Sequence, residues 1–176
     1  MILAGLILAE AGLLKKFYVA HYENYGPETR GGTSVSEVIF SDTEIDYPKA
    51  LGLDILLALN QKACDENLPS MKPEGLVIVD SDLVEKVLWV RVVRAPFSRN
   101  ARQKLQNQRV ANVLALGTLV PFCPWLSSLS LEEAIKRRMP PDIVQLNLQA
   151  LQEGLKLASN LKKNLTFQEV EGVTEV

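Results

Sequence analysis

Residues Leu53 to Gln61 read LDILLALNQ, and the apolar part of that stretch, Asp54 to Leu59 (DILLAL), decides how the chain folds. An uninterrupted aliphatic run bounded by polar residues suits a strand covered on both faces of a parallel sheet, because a strand with one wet face would alternate. Beyond it, Gln61 to Leu68 has a helical composition, and Pro73-Glu74-Gly75 turns the chain into a further apolar strand, Leu76 to Val79. Val87 to Val93 (VLWVRVV) supplies another. Strand, helix, strand in this rhythm predicts crossover units and an α/β sheet.

On the N-terminal side, Phe17 to Ala20 and Ser34 to Ser41 (SVSEVIFS) read as two more strands. The opening MILAGLILAEAGLL invites comparison with a signal peptide, with Ala9-Glu10-Ala11 imitating a cleavage site. No Lys or Arg precedes the run, Glu10 interrupts it and Lys15-Lys16 follow it, all contrary to that pattern. It is also shorter than the ~20 residues a membrane span needs. The expectation is a cytoplasmic chain without a membrane segment. Its first helix is expected to be buried and is apolar nearly all round, with Ile2, Leu6, Ala9 and Leu13 on one stripe and Leu3, Ile7 and Leu14 beside it.

From Ser98 onward the pattern is helical: Ser98 to Leu105, then Arg109 to Leu119, then a helix whose Ser130-Leu-Glu-Glu133 matches a capping box. Pro140-Pro141 separates that helix from the last one. There Val144, Leu148, Leu151, Leu155 and Ala158 fall on one apolar stripe. The tail after Asn164 is expected to be loose or an edge strand. No internal repeat or linker divides the chain.

A 176-residue chain that is 47% hydrophobic has enough apolar material for one domain with a sizeable core. Its net charge of −2 excludes a protein that grips nucleic acid by bulk charge. The basic pairs Lys15-Lys16, Arg137-Arg138 and Lys162-Lys163 sit near expected helix ends, where cations oppose the helix dipole. Cys64 and Cys123 form no C-x-x-C pair and suit buried, reduced thiols. An iron–sulfur cluster takes about four thiolates, more than this chain has. The single histidine, His21, removes the usual zinc arrangements. Tyr18, His21, Tyr22 and Tyr25 are expected to cluster at the end of the first strand, His21 bonded to backbone or facing a partner.

The remaining candidate is the loop YGPETRGG, Tyr25 to Gly32. Pro27 fixes a turn, while Gly31 and Gly32 permit positive φ and close approach. Successive amides there can cradle an anion, and Arg30 offers a planar fork for carboxylate or phosphate. A solvated Arg30 paired with Glu28 satisfies the same residues, and an α/β module that binds a small anion or nucleotide by itself remains the alternative function.

YGPETRGG is followed in order by SDTEIDYP (Ser41–Pro48), LDILLALNQ, KPEGLVIVDSDLV (Lys72–Val84), RVANVLALGTL (Arg109–Leu119) and the segment from Ser130 to Ala158. From residue 1 to about 160 this order resembles the gamma subunit of 2-oxoacid:ferredoxin oxidoreductases. The resemblance implies an α/β, Rossmann-like, mostly parallel sheet flanked by helices, with a helical C-terminal third. It would form one domain over residues 1–164, with 165–176 as the tail. It implies one subunit of an enzyme that oxidatively decarboxylates a 2-oxoacid with coenzyme A and reduces ferredoxin. YGPETRGG and EIDYP lean toward 2-oxoglutarate. Thiamine diphosphate, 4Fe–4S clusters and coenzyme A would then belong to the assembled complex, held mainly by alpha and beta subunits and in some cases a ferredoxin-like one. No catalytic residue or metal ligand is assigned to this chain. Tyr25, Gly26, Pro27, Arg30, Gly31 and Gly32, with Asn60 after the third strand, are the implied contacts to the cofactor region, and Asn112 an internal latch. The family begins with a strand and a Gly-rich turn of the GGQG kind ahead of a helix like LAGLILAEA. Met1 falls where that turn has ended, so the expectation is a shortened form whose sheet lacks its central strand.

Overall fold

The computed structural model describes residues 1–25 and 34–161. Helix α1 (Ile2–Leu14) leads into strands β1 (Tyr18–Tyr25) and β2 (Ser34–Ser41), and these pair antiparallel from Tyr18↔Ser41 to Tyr25↔Ser34. A second sheet follows, with β3 (Leu53–Ala58), β4 (Met71–Asp80) and β5 (Val92–Ala95) parallel in the order β3-β4-β5. Helix α2 (Gln61–Asn67) connects β3 to β4, and α3 (Phe97–Leu105), α4 (Ala111–Gly117), α5 (Ser128–Arg138) and α6 (Pro141–Leu161) complete the helical part. The aliphatic run at Asp54–Leu59 therefore does enter a parallel α/β sheet, whereas β1 and β2 close a hairpin instead of joining that sheet by crossovers.

Several boundaries move for local reasons. β1 continues to Tyr25, well past Ala20, because the whole of β2 is available to pair with it. Pro73-Glu74-Gly75 does not precede β4 but bulges within it: Leu53↔Met71 and Ile55↔Leu76 are successive pairs, so two steps on β3 face five on β4. β5 begins only at Val92, since Val87 to Val90 form a loop, held where the Trp89 indole N–H donates to Gly75 O at 2.8 Å. The capping box is one turn early, with Ser127 as N-cap and Ser130 at the third helical position, each side chain serving the other's backbone N–H.

The two faces of β3 feed different clusters. Leu56 and Ala58 pack with Cys64, Val77, Val79, Val84 and Val92. Ile55 and Leu57 face the larger core built from Leu76, Ile78, Phe97 and helices α1, α4, α5 and α6. Cys123 lies in this larger core and Cys64 in the other, both as free thiols. Helix α1 presents Ala4, Ile7 and Ala11 to the larger core, while Leu13, in a helix expected to be buried, is 51% exposed. A helix apolar all round carries no periodic signal of which face turns inward.

In α6 the buried line is Asn147, Ala150, Leu151, Gly154 and Ala158, with Val144, Leu148 and Leu155 on its flank. The rotation follows from a backbone contact with α4. A Cβ added to Gly154 would stand 2.0 Å from Leu114 O, and one added to Gly117 would stand 2.7 Å from Leu151 O. Helix separation is set by the side chains at the crossing, and here there are none. Asn112 is half-buried and its Oδ1 accepts from the adjacent Val113 N, so it is not the internal latch; the buried amide is Asn147, whose Nδ2 donates to Ile143 O at 2.8 Å.

Gly154→Ala is expected to push α4 and α6 apart and cost about 3 kcal/mol, the upper range for overpacking, read as a lowered urea midpoint with unchanged m. Burial pushes the Cys123 thiol up to about 11. The native state therefore keeps a proton that the unfolded chain has released, so this contribution is intact below about pH 8.5 and declines as the pH rises toward 11. The loss is roughly 3 kcal/mol, and a Cys123→Ala variant should show a visibly flatter alkaline stability profile.

Candidate functional site

Because β3, β4 and β5 are parallel, their C-terminal ends share one edge, the edge at which α/β sheets hold ligands. Asn60 follows β3 there. Its backbone is extended (φ −155°) and its Oδ1 accepts from Ala63 N at 2.8 Å, which makes it the N-cap of α2. The side chain is exposed but already engaged in holding the helix start.

Asp80, at the end of β4, is wholly buried. Its Oδ2 accepts from Ser98 N at 2.7 Å in the first turn of α3, and its Oδ1 accepts from Asp82 N at 3.0 Å. A carboxylate at a helix N-terminus meets unpaired amides and the positive end of the dipole. The Asp80 carbonyl also accepts from Val84 N at 3.0 Å, and Ser81 N donates to Ala95 O at 2.9 Å, so two successive residues tie the end of β4 to α3 and to the end of β5. Arg99 reaches back with Nε 3.1 Å from Asp82 Oδ2 and a second nitrogen on Oδ1. Gln61 Oε1 accepts from Glu85 N and Lys86 N, and its Nε2 donates to Lys86 O at 2.7 Å. Arg94 donates to Val84 O at 2.8 Å. These bonds hold the 81–91 loop over the strand ends and occupy the polar groups at this edge.

On the hairpin, Tyr18, His21 and Tyr22 are strung along β1 instead of clustered at its end, because the strand is twice the expected length. His21 Nε2 lies 2.6 Å from Ser36 Oγ across the ladder, a side-chain partner where backbone was expected, and Nδ1 is 3.7 Å from Glu23. A Cβ on Gly5 would stand 2.7 Å from His21 Nε2 and 1.8 Å from Ser36 Oγ. The imidazole and hydroxyl thus fill the space that Gly5 leaves on α1, which is a packing role. Tyr25 forms the last pair of the ladder, with Ser34. Gly26, Pro27, Arg30, Gly31 and Gly32 lie outside the described residues, as do Lys162-Lys163 and the tail.

A cleft of about 1330 Å³ runs between β2 and β3, walled by both strands and reaching Met1 and Leu8 of the N-terminal helix region and Trp125. Asn60 and Ser34 both border it, so the cleft joins the predicted Asn60 to the hairpin end that carries Tyr25. Among the described residues no group of three or more His, Cys, Asp or Glu could hold a metal ion. No described helix is long and apolar enough to cross a membrane.

Asp80 and Gln61 were invisible as site builders in the sequence, since an Asp before Ser-Asp after a strand reads as ordinary turn chemistry. Their contribution is measurable. Asp80→Ala leaves the half-buried amides of Ser98 and Asp82 without their carboxylate and should cost about 2 kcal/mol, with hydrogen exchange accelerated across residues 81–91. Asp80→Asn, which keeps one carbonyl oxygen, should cost about half as much.

Over residues 1–157 the chain matches the protein family described as pyruvate ferredoxin/flavodoxin oxidoreductase. It is 40% identical over 166 residues to the 2-oxoglutarate synthase subunit KorC of Methanocaldococcus jannaschii, covering 92% of this chain and 89% of that one. The KorC subunit of Methanothermobacter thermautotrophicus is 38% identical over 166 residues, with 89% and 88% covered. The crystal structure of a keto/oxoacid ferredoxin oxidoreductase gamma subunit from Geobacter sulfurreducens superposes with a TM-score of 0.80 at 35% identity, covering 91% of this chain and 90% of that one. With the parallel sheet, the hairpin and the helical C-terminal part all in place, the chain belongs to the pyruvate ferredoxin/flavodoxin oxidoreductase family, as a gamma-type subunit.

Proposed function

We propose that this chain is the gamma-type subunit of a cytoplasmic 2-oxoglutarate:ferredoxin oxidoreductase. The assembled enzyme joins 2-oxoglutarate and coenzyme A to give succinyl-CoA and carbon dioxide, and passes two electrons to ferredoxin. The observation that carries the reading is the 40% identity, over nearly the full length of both chains, to a 2-oxoglutarate synthase subunit. The residues of this chain suit a subunit that supplies no redox centre. Cys64 and Cys123 are buried in different clusters, so they do not fit as paired ligands of an iron–sulfur cluster. Thiamine diphosphate, the 4Fe–4S clusters and most coenzyme A contacts are assigned to alpha and beta partners and, where present, a ferredoxin-like subunit.

Within this reading the segment from Tyr25 to Gly32 is the surface that meets the cofactor region. Tyr25, Gly26 and Pro27 set its start, Gly31 and Gly32 allow close approach, and Arg30 supplies a bidentate donor for a phosphate or carboxylate. Asn60, on the same cleft as the hairpin end, is the second contact.

The tagged chain, isolated natively from its own cells, should bring down larger subunits that carry iron, sulfide and thiamine diphosphate. The complex should reduce ferredoxin with 2-oxoglutarate and coenzyme A at least tenfold faster than with pyruvate or a branched-chain 2-oxoacid. A lone chain without cofactors would overturn the assignment, and equal rates on pyruvate would overturn the substrate. In the assembled complex Arg30→Ala should lower kcat/KM for coenzyme A by about tenfold, the loss of one charged hydrogen bond, at unchanged melting temperature. Unaltered kinetics would place Arg30 among solvated surface residues.

A further inference from the structure

Between Glu85 and Glu132 the chain has no Asp or Glu but seven Lys or Arg, in a protein whose net charge is −2. Several of these cations are engaged. Arg91 and Arg94 donate to the main-chain carbonyls of Glu74 and Val84, and Arg99 pairs with Asp82. Lys104 reaches Glu153 of α6 at 2.9 Å, but Lys156 takes the same carboxylate at 2.6 Å, so one carboxylate serves two cations. The hydrogen bonds from Lys156 and Lys104 hold the Glu153 carboxyl below its usual range. Arg102 and Arg109 are exposed, and their guanidinium groups make no hydrogen bond or ion pair with a described residue. Gln103, Gln106 and Gln108 stand exposed between them, adding amide donors and no negative charge.

The end of α6 lies beside this surface. Gly154 packs on Leu114 O and Gly117 on Leu151 O, so α4 and α6 run antiparallel. Beyond Gly154, α6 therefore continues back past the start of α4, and it touches both the turn at 108–110 and α3. The helix ends there, at Leu161. The last carbonyls of a helix carry the negative end of its dipole and hold no carboxylate. The sequence that follows has Lys162-Lys163 and then only acidic charges, Glu169, Glu171 and Glu175. Glu169 is eight positions beyond Leu161, a reach of up to ~27 Å, against ~14 Å for the whole of α3.

We infer that segment 165–176, which lies outside the described residues, turns back in cis over residues 102–109, its glutamates paired with Arg102 and Arg109. Exposed ion pairs are individually weak. A tether of a few residues, however, keeps such partners at about millimolar effective concentration, so several weak pairs act together. The contact is ionic throughout, because Leu105, the one apolar residue of 102–109, packs on the larger core. It is therefore sensitive to salt and readily reversed. An acidic protein surface approaching the same cations has to displace it.

The test attaches a nitroxide to the full chain through Thr174→Cys, Cys64 and Cys123 being buried, and reads the amide resonances by NMR. At about 10 mM salt, where the Debye length is ~30 Å, amides of 102–110 should lose most of their intensity. They should regain it at about 1 M salt, where that length is ~3 Å. The loss should also vanish in Arg102→Glu/Arg109→Glu. It should vanish equally in Glu169→Gln/Glu171→Gln/Glu175→Gln, which leaves every described residue in place. Full intensity at 102–110 in low salt overturns the inference, and so does a loss that survives 1 M salt. A loss centred on 18–25 or 92–95 overturns it too, since that is what an added edge strand gives. A loss that appears in unlabelled, isotope-enriched chain mixed with labelled chain assigns the segment to a second copy and overturns the contact in cis.

Discussion

Helix α1 is the member on which the arrangement of everything else depends. Among the described residues the hairpin and the parallel sheet share no strand ladder, so their relative placement rests on what touches both. One side of α1 sends Ala4, Ile7 and Ala11 into the core beneath β4 and β5. On the other side, Gly5 and Gly12 let the hairpin settle directly onto the helix: Ser36 and His21 occupy the space at Gly5, and Phe40 that at Gly12. Glu10, buried between these sides, takes the guanidinium of Arg138 at 2.8 Å, which fastens α1 to α5. Phe17, edge-on to both Phe40 and Trp125, completes an aromatic trio at the hairpin's other end. Either side of α1 could be weakened with local effect; losing the helix would leave two unrelated sheets.

That construction explains which polar groups are already engaged among the described residues. The strand-end edge, the usual ligand shelf of an α/β sheet, is filled by its own bonds, with Asp80, Gln61, Arg94 and Arg99 all committed to holding the 81–91 loop. The thiols are buried in separate clusters. What faces outward is the cleft, the hairpin end and a few large apolar side chains, among them Leu51, Leu88 and Tyr47. The described residues are thus tied up at the strand ends and leave the cleft open and largely apolar.

Legibility in the sequence followed the strength of the local signal. DILLAL announced a strand covered on both faces because nothing polar interrupts it, and β3 is that strand. The last helix was legible in extent, and its expected stripe packs on the core with Leu151 and Ala158 fully inward, while the centre of the buried line is rotated toward Asn147, Ala150 and Gly154. Periodicity weighs large side chains, while the real contact is made through Gly154, which has none. The opening helix failed in the opposite sense, since every face is apolar and the pattern has no preferred side. The hairpin was misread as two separate sheet strands because pairing is a long-range fact: residues 18–25 show their strand only once 34–41 lie beside them. Of the predicted site residues, Asn60 is at a strand end as expected and serves as a helix cap, and the order of motifs around it carried the family even where single residues carried no chemistry.

The ion pair between Glu10 and Arg138 spans 128 residues of sequence. At ~5–20 residues per second of synthesis, α1 leaves the ribosome on the order of ten seconds before the helix that neutralises its buried carboxylate exists. Throughout that interval a thirteen-residue helix with no polar face is exposed. The buried carboxylate thus waits for its partner until nearly the whole of the described fold has been made, and the apolar helix that carries it is without its packing surface for the same interval.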